Sequence, residues 1–171
     1  MASALALLIA RLMIGPALAA HGAQKLLGWF GGHGLKATAG IFGSIGFPAP
    51  LLMAALASLG EIGGGLLLAL GWLNPVGPAI IVSVMLVAAV SVHARNGFFA
   101  MKNGYELPWM YAASAIALAF AGPGAISLDA LAPIPALSDP ATAWLLIAIG
   151  ALGGLLVLAL RRAPRTGGQS A

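Results

Sequence analysis

Glu61 is the residue of this sequence whose type and position say most about chemistry. It lies in a long apolar stretch, eleven residues after Pro50 and eleven residues before Trp72. An ionisable side chain in the middle of a membrane-spanning helix costs about 2.5–3.5 kcal/mol on insertion scales, so such a residue usually has a partner or a function. A carboxyl group in that position can accept a proton or hold the polar head of a ligand.

Arg11 is a second ionisable residue in an apolar stretch, about eight residues from its start. Counted at about 1.5 Å per residue, its depth differs from that of Glu61 by only a few ångströms, which predicts an Arg11–Glu61 ion pair between two helices. Such a pair could be purely structural and fix the helix register. It could also be functional, with Arg11 tuning the acidity of Glu61. In a third interpretation, Glu61 is protonated and simply hydrogen-bonded.

Two histidines end apolar stretches that run in the same direction. His21 and His93 have matching depths, so both could flank one cavity, and Lys25 lies one turn beyond His21. A histidine near a carboxylate suits the protonation of a quinone, whereas two histidines alone favour a bis-histidine haem much less. Each histidine could instead be an interfacial hydrogen-bonding group, and His33 is expected to be solvated.

The candidate set for ligand binding or proton handling therefore has five members, and the sequence assigns none of them a catalytic role. They are Glu61, His21, His93, Lys25 and Arg11. No metal site is expected, since the carboxylates do not cluster. No cofactor is certain, a quinone is the candidate, and haem is disfavoured. Arg11, Leu18 and Lys25 share one helix face with two glycines, and we expect this face to point inward.

The composition of the chain limits the class of protein in which these residues lie. Only twelve of the 171 residues are charged, 61% are hydrophobic and none is cysteine. An average soluble domain has about 25% charged residues, so an ordinary soluble domain is excluded. Scattered basic residues without a basic stripe argue against nucleic-acid binding. The absence of cysteine excludes disulfides, thiol redox chemistry and thiolate metal sites.

Five apolar stretches are long enough, or nearly so, to cross a bilayer, which takes about 20 residues. The predicted spans are 3–24, 50–72, 76–94, 105–122 and 141–160. We expect an all-α membrane protein with a compact four-helix transmembrane bundle and a fifth C-terminal transmembrane helix. The predicted division is a core at 1–129, an outer loop at 130–140, the fifth helix, and a basic cytoplasmic tail at 161–171. The first span is expected to remain uncleaved, because no positive segment precedes it.

Basic residues in the loops predict the orientation. With five spans, seven of the eight lysines and arginines fall on one side, and Asp129 and Asp139 stand alone on the other. Lysine and arginine are retained in the cytoplasm, so the N-terminus is predicted outside and the C-terminus inside. The segment Leu26–Ala49 is predicted to be interfacial or re-entrant, and aromatic anchors are expected after the third span. These anchors are Phe98, Phe99, Trp109 and Tyr111.

Small residues predict close helix contacts. Gly60 and Gly64 are four residues apart, as are Gly150 and Gly154. Such pairs let helix backbones approach closely in lipid. A homo-oligomer through either pair is one further possibility.

Several sequence features together resemble the DoxX family of small bacterial membrane proteins. They are Ala20-His21-Gly22-Ala23-Gln24-Lys25, Glu61-Ile62-Gly63-Gly64, the third span ending at His93, and Gly122-Pro123-Gly124 followed by Ser127-Leu128-Asp129. The resemblance covers about Ala10 to Asp129, and the fifth span departs from it. It implies a four-helix membrane core in the bacterial cytoplasmic membrane. It also implies an association with oxidoreductase systems, some of them linked to quinones. The residues that match the family's polar pattern are His21, Lys25 and Glu61.

Three functions remain open from the sequence. The first is an accessory subunit of a membrane oxidoreductase system that interacts with a quinone and has a soluble or membrane-bound partner. The second is a small proton-coupled transporter with Glu61 as its proton carrier. The third is a non-catalytic scaffold held together by an Arg11–Glu61 pair. In each case the immediate partner is the lipid bilayer.

Overall fold

The structure, a computed structural model, describes residues 1–162 of the chain. The remainder of the predicted basic tail, including Arg165, lies outside the described residues. Within residues 1–162 the chain is helical and has no strand, so the predicted all-α class is confirmed. The α-helices are α1 Ala2–Leu27, α2 Gly34–Ser44, α3 Pro50–Leu70, α4 Val76–Ala88, α5 Glu106–Ala121, α6 Leu128–Leu131 and α7 Pro140–Ala159.

Glycine, proline and aspartate set the ends of the long helices. α1 stops at Gly28, whose φ of +75° is a left-handed conformation that closes a helix without a Cβ penalty. α3 and α7 each begin with a proline, which lacks the N–H that the first turn would leave unpaired. Asp139 caps α7 by accepting a hydrogen bond from the Ala141 N–H at 2.8 Å.

Four helical segments of the described chain are long and apolar enough to cross a membrane. They are Ala2–Leu27, Pro50–Leu70, Val76–Asn96 and Pro140–Ala159. The predicted fourth span corresponds to α5, which has 16 residues and is therefore about 24 Å long, against a hydrocarbon core of about 30 Å. Glu106–Ala121 is thus a shorter apolar helix than predicted. The predicted interfacial or re-entrant segment contains α2, whose 11 residues are too few to cross.

A core of four helices and a fifth helix packed against it give the fold its shape. Leu18 of α1, Leu68 of α3, Met85 of α4 and Ala115 of α5 meet in one buried cluster. A second cluster joins Ile147 of α7 to α4 and α5. This arrangement agrees with the predicted four-helix bundle and additional C-terminal helix.

Both predicted glycine pairs lie at tight helix contacts, and both face α4 of the same chain. A Cβ on Gly60 or Gly64 would lie 2.8–3.0 Å from side chains of α4. A Cβ on Gly154 would lie 2.9 Å from the Ser83 carbonyl oxygen, and one on Gly150 would collide with Ala79. The close contacts are therefore confirmed. Both pairs pack against α4 of the same chain, and a homo-oligomer stays a prediction.

Candidate ligand-binding cavity

A cavity of about 210 Å³ lies between α1, α3, α4 and α5, near the end of the bundle where α1 and α4 finish. We call it the Glu61 cavity. Its polar lining consists of His21, Lys25, Glu61, His93, Asn103 and Tyr111. The structure thus brings together four of the five candidate residues, and Arg11 is the one it places elsewhere. Among residues 1–162, no group of three His, Cys, Asp or Glu side chains could hold a metal ion.

Glu61 and Lys25 form an ion pair in this cavity, with Lys25 Nζ donating to Glu61 Oε1. Glu61 is 1% exposed, whereas the Lys25 side chain is 36% exposed. The second carboxylate oxygen of Glu61, Oε2, is buried and has no hydrogen-bond partner within residues 1–162. A buried acceptor left unsatisfied costs about 1–3 kcal/mol, and more if it is charged. Oε2 is therefore a buried atom with an unused capacity to accept a hydrogen bond or a proton.

His93 is held by the loop that follows α4. Its Nδ1–H donates to the Asn103 carbonyl oxygen at 2.8 Å, and since a carbonyl only accepts, Nδ1 carries the proton. Nε2 is left to bind a ligand or exchange a proton. His93 also closes a π-helical turn, Ala89–His93, in which buried Ser91 donates to the Val87 carbonyl oxygen at 2.6 Å. Such turns recur at functional sites because the extra residue changes where side chains point.

His21 is oriented by Gln24, a residue the sequence analysis did not single out. Gln24 Nε2 donates to the Phe30 carbonyl oxygen at 3.2 Å, which leaves Oε1 to accept from His21 Nδ1, also at 3.2 Å. The His21 ring packs edge-on against Tyr111 with the ring centroids 5.9 Å apart. The structure places Tyr111 in the cavity wall, and its role as an interface anchor stays a prediction. The roles of Gln24 and Tyr111 have no local sequence signal, because both depend on tertiary packing.

The predicted Arg11–Glu61 ion pair is wrong, and the register of α1 against α3 explains why. A Cβ on Gly15 would lie 2.5 Å from the Gly65 carbonyl oxygen, and one on Gly22 would lie 2.5 Å from the Ser58 carbonyl oxygen. These antiparallel contacts place His21 level with Glu61 and Arg11 level with Gly71. Arg11 is thus ten residues, or about 15 Å, from Glu61 along the bundle, while Lys25 can reach Glu61 from one turn below His21.

A second cavity of about 350 Å³ lies beside the first and shares Lys25 and His93 with it. It extends to His33 and Thr38 of the segment that carries α2. Thr38 Oγ1 donates to the Lys25 carbonyl oxygen at 3.1 Å and so ties α2 to the end of α1. His33 itself is exposed, in line with its predicted solvation. Lys25 and His93 therefore form a wall with a cavity on either side.

Comparison with known families identifies the family to which the part of the chain with these residues belongs. A family model described as DoxX matches residues 6–94, just over half of the chain. The chain belongs to the DoxX family. The match includes His21, Lys25, Glu61 and His93, and it ends before α5 and α7. Comparisons with curated proteins and with solved structures gave no match.

Family and helix lengths together identify a DoxX-family protein that is a multi-pass membrane protein.

Arg11 lies at the other end of its bundle from the Glu61 cavity. Arg11 is 2% exposed, and its guanidinium contacts Gly71 and donates through Nη2 to the Ile126 carbonyl oxygen. Three residues on, Asp129 accepts hydrogen bonds from the Leu73 and Asn74 N–H groups at 2.8 and 2.9 Å. Asp129, which was predicted to lie in an outer loop, joins that loop to the α3–α4 turn through these hydrogen bonds.

Asp129→Asn is expected to lower the free energy of unfolding of this DoxX-family protein by about 1 kcal/mol, since one partly buried N–H loses its acceptor. The matched control is Asp139→Asn, the same chemical change at a helix N-cap, where asparagine and aspartate are about equally good. Denaturant unfolding in mild detergent measures both. Equal stabilities of the two variants would show that the Asp129 contacts contribute nothing.

Proposed function

We propose that this protein is an accessory subunit of a membrane oxidoreductase system and binds the head group of a quinone in the Glu61 cavity. The observation that carries the proposal is the buried Glu61 Oε2, which has no hydrogen-bond partner in the described chain and belongs to a residue that lines a cavity of one ring's dimensions. A carboxylate, two histidines and a tyrosine around one apolar cavity match a small ring with polar oxygens. A volume of about 210 Å³ favours such a ring over a haem.

The side chains of the cavity supply both kinds of hydrogen bond that a quinone and its reduced form require. Lys25 and Tyr111 can donate to quinone carbonyl oxygens, while Glu61 Oε2 can accept from a quinol hydroxyl group. Charge-assisted hydrogen bonds of this kind are about twice as strong as neutral ones. An ionised Glu61 therefore favours the quinol, whose hydroxyl groups donate, over the quinone, which only accepts.

Protons and electrons have separate routes in this proposal. A bound quinone takes up two electrons and two protons to become a quinol. Glu61 and the Nε2 atoms of His21 and His93 are the groups of this chain that can hand over or receive the protons. Lys25 and His93 also line the second cavity, so they offer a route for proton exchange away from Glu61. The electrons come from or go to a redox centre of the partner oxidoreductase, since this chain has no cysteine to relay them.

The proposal places the protein in the bacterial cytoplasmic membrane with its N-terminus outside and its C-terminus inside. In that orientation the Glu61 cavity lies towards the cytoplasmic side. Support comes from the common end at which α1 and α7 finish, since the Arg162 N–H donates to the Gly46 carbonyl oxygen at 2.8 Å in the segment that connects α1 to α3. Basic residues at that end fit the retention of lysine and arginine in the cytoplasm.

Glu61→Gln is expected to weaken quinol binding by about tenfold and quinone binding less, because a charge-assisted hydrogen bond of about 1.5–3 kcal/mol is replaced by a neutral one. The measurement is a titration of purified protein with decylbenzoquinol and decylbenzoquinone, together with mass spectrometry of small molecules that co-purify. Asp139→Asn is the control carboxylate-to-amide change, far from the cavity. Tyr111→Phe is a second, isosteric variant that removes one donor.

The same experiment separates the two other functions. A scaffold predicts that Glu61→Gln lowers the yield of folded protein and that neither form of the ligand binds the parent. A proton-coupled transporter predicts solute uptake into vesicles that stops when the proton gradient is collapsed. Equal affinities of the parent and a folded Glu61→Gln variant for quinol would remove Glu61 from the site and overturn the proposal.

A further inference from the structure

The Glu61 cavity is too small for a whole amphiphilic ligand. Its volume of about 210 Å³ lies below the 300–1,000 Å³ that is common for ligand pockets, so it can hold a ring but no long chain. Side chains of α1 and α3, Glu61 among them, line one side of it. The tail of such a ligand must therefore lie outside the cavity.

A groove of about 570 Å³ lies next to the cavity. It runs between α4 and α5, and Met85 and Pro108 line both the groove and the cavity. Met85 is 4% exposed, and its unbranched side chain can adapt to a passing chain. The two spaces are thus neighbours that share a wall of flexible or small side chains.

The groove is apolar, and small residues create it. Ala112, Ala113 and Ala117 of α5 line it together with Ala89 of the π-helical turn that follows α4, and larger side chains at these positions would fill the space. From Pro108 to Ala117 the groove follows α5 for nine residues, or about 14 Å. Trp109, which lines the groove near the cavity, is 53% exposed. The groove therefore opens on the lateral surface of the bundle, where the bilayer would lie.

We infer that the α4/α5 groove holds the alkyl or isoprenoid tail of the amphiphile whose head group lies in the Glu61 cavity. This inference rests on the proposed function and adds the class of ligand: a single polar ring on a long apolar chain that enters sideways from the bilayer. The shared wall of Met85 and Pro108 favours this occupant, because a tail that leaves the cavity past these side chains enters the groove. An acyl chain of bulk phospholipid would have no reason to depend on the cavity.

A benzoquinol with a decyl tail that ends in a diazirine tests the inference directly. After irradiation in detergent, mass spectrometry is expected to find the label on groove residues of α4 and α5. Excess tailless benzoquinol, which competes only for the cavity, is expected to abolish that labelling. Labelling that is scattered over the lipid-facing helices, or groove labelling that persists with the competitor, overturns the inference.

Two substitutions give an independent readout. Ala117→Phe fills the far part of the groove and is expected to reduce groove labelling severalfold, while tailless benzoquinol binds as tightly as it does to the parent. Ala148→Phe makes the same change at an exposed position of α7 outside the groove and is expected to leave labelling unchanged. If Ala117→Phe fails to fold, Ala113→Phe tests the near part. Equal labelling of Ala117→Phe and Ala148→Phe overturns the inference.

The experiments distinguish a wrong assignment of the groove from a wrong proposed function. If the tailless benzoquinol binds and its binding depends on Glu61, but the label falls outside the groove, only the groove assignment is wrong. If neither the tailless nor the tailed quinol binds the parent, the proposed function fails and the inference fails with it.

Discussion

Lys25→Met is expected to destabilise the protein by about 3–5 kcal/mol, because removing the partner of a buried carboxylate leaves that charge without compensation. The charge left behind is that of Glu61, which is 1% exposed and has no second partner for Oε2 among the described residues. Denaturant unfolding of the purified protein, followed by circular dichroism, gives the free energy of unfolding. The expected loss is a large part of the roughly 5–15 kcal/mol that stabilises a typical native protein.

The reverse substitution is expected to cost far less. In Glu61→Gln the remaining charge is that of Lys25, whose side chain is 36% exposed and can carry its ammonium group to water. The double variant Lys25→Met/Glu61→Gln should be close to Glu61→Gln in stability, since it leaves no isolated buried charge. Lys36→Met, at an exposed position of α2, is the control for loss of a lysine. Equal costs for the two single substitutions would contradict this asymmetry.

This asymmetry bears on function as well as on folding. A ligand that neutralises or hydrogen-bonds Glu61 Oε2 should stabilise the protein, because anything that binds only the native state does so. Glu61→Gln keeps the fold and removes the ionised acceptor, so it is the variant in which ligand binding can be measured without loss of structure. The stabilities of the two single variants and of the double variant therefore show whether weaker binding in Glu61→Gln reflects the lost acceptor or a loss of folded protein.

Most polar residues of the site could be predicted from the sequence, but which of them pair with each other could not. Matching depths placed His21 and His93 beside one cavity, and the spacing of glycines predicted the inward face of α1. Depth counted from the ends of apolar stretches failed for Arg11, because it ignores how two helices slide along each other. That register depends on which small residues meet, and Gly15 meets Gly65 only in the folded protein.

Other features of the site have no local signature. The π-helical turn before His93 looks like a continuing apolar helix in the sequence, since nothing in Ala89–His93 breaks the pattern. Tyr111 is one of several aromatic residues near a helix end, and only the packing of α5 against α1 brings it to His21. Asp129 reaches the α3–α4 turn across more than fifty residues of chain, which no motif reveals.

Gly65→Ala and Gly63→Ala are expected to change stability in opposite directions, although the two glycines are two residues apart on α3. At Gly65 a Cβ would lie 2.5 Å from the Gly15 carbonyl oxygen and 2.9 Å from the Ala19 backbone nitrogen. Backbone atoms cannot rotate away as a side chain can, so α1 and α3 must separate, at a cost of about 3 kcal/mol, the upper part of the range for overpacking.

At Gly63 a Cβ would meet no atom of the described residues within 4 Å, so alanine only removes the conformational freedom of glycine. Gly63→Ala should therefore leave the free energy of unfolding unchanged or raise it by about 0.5–1 kcal/mol. Unfolding in mild detergent compares the two variants directly. Because the α1–α3 contact also sets the distance between Lys25 and Glu61, Gly65→Ala should weaken quinol binding as well, and Gly63→Ala should not. Equal stability and equal binding in the two variants would show that the register of α1 against α3 is not what positions the site.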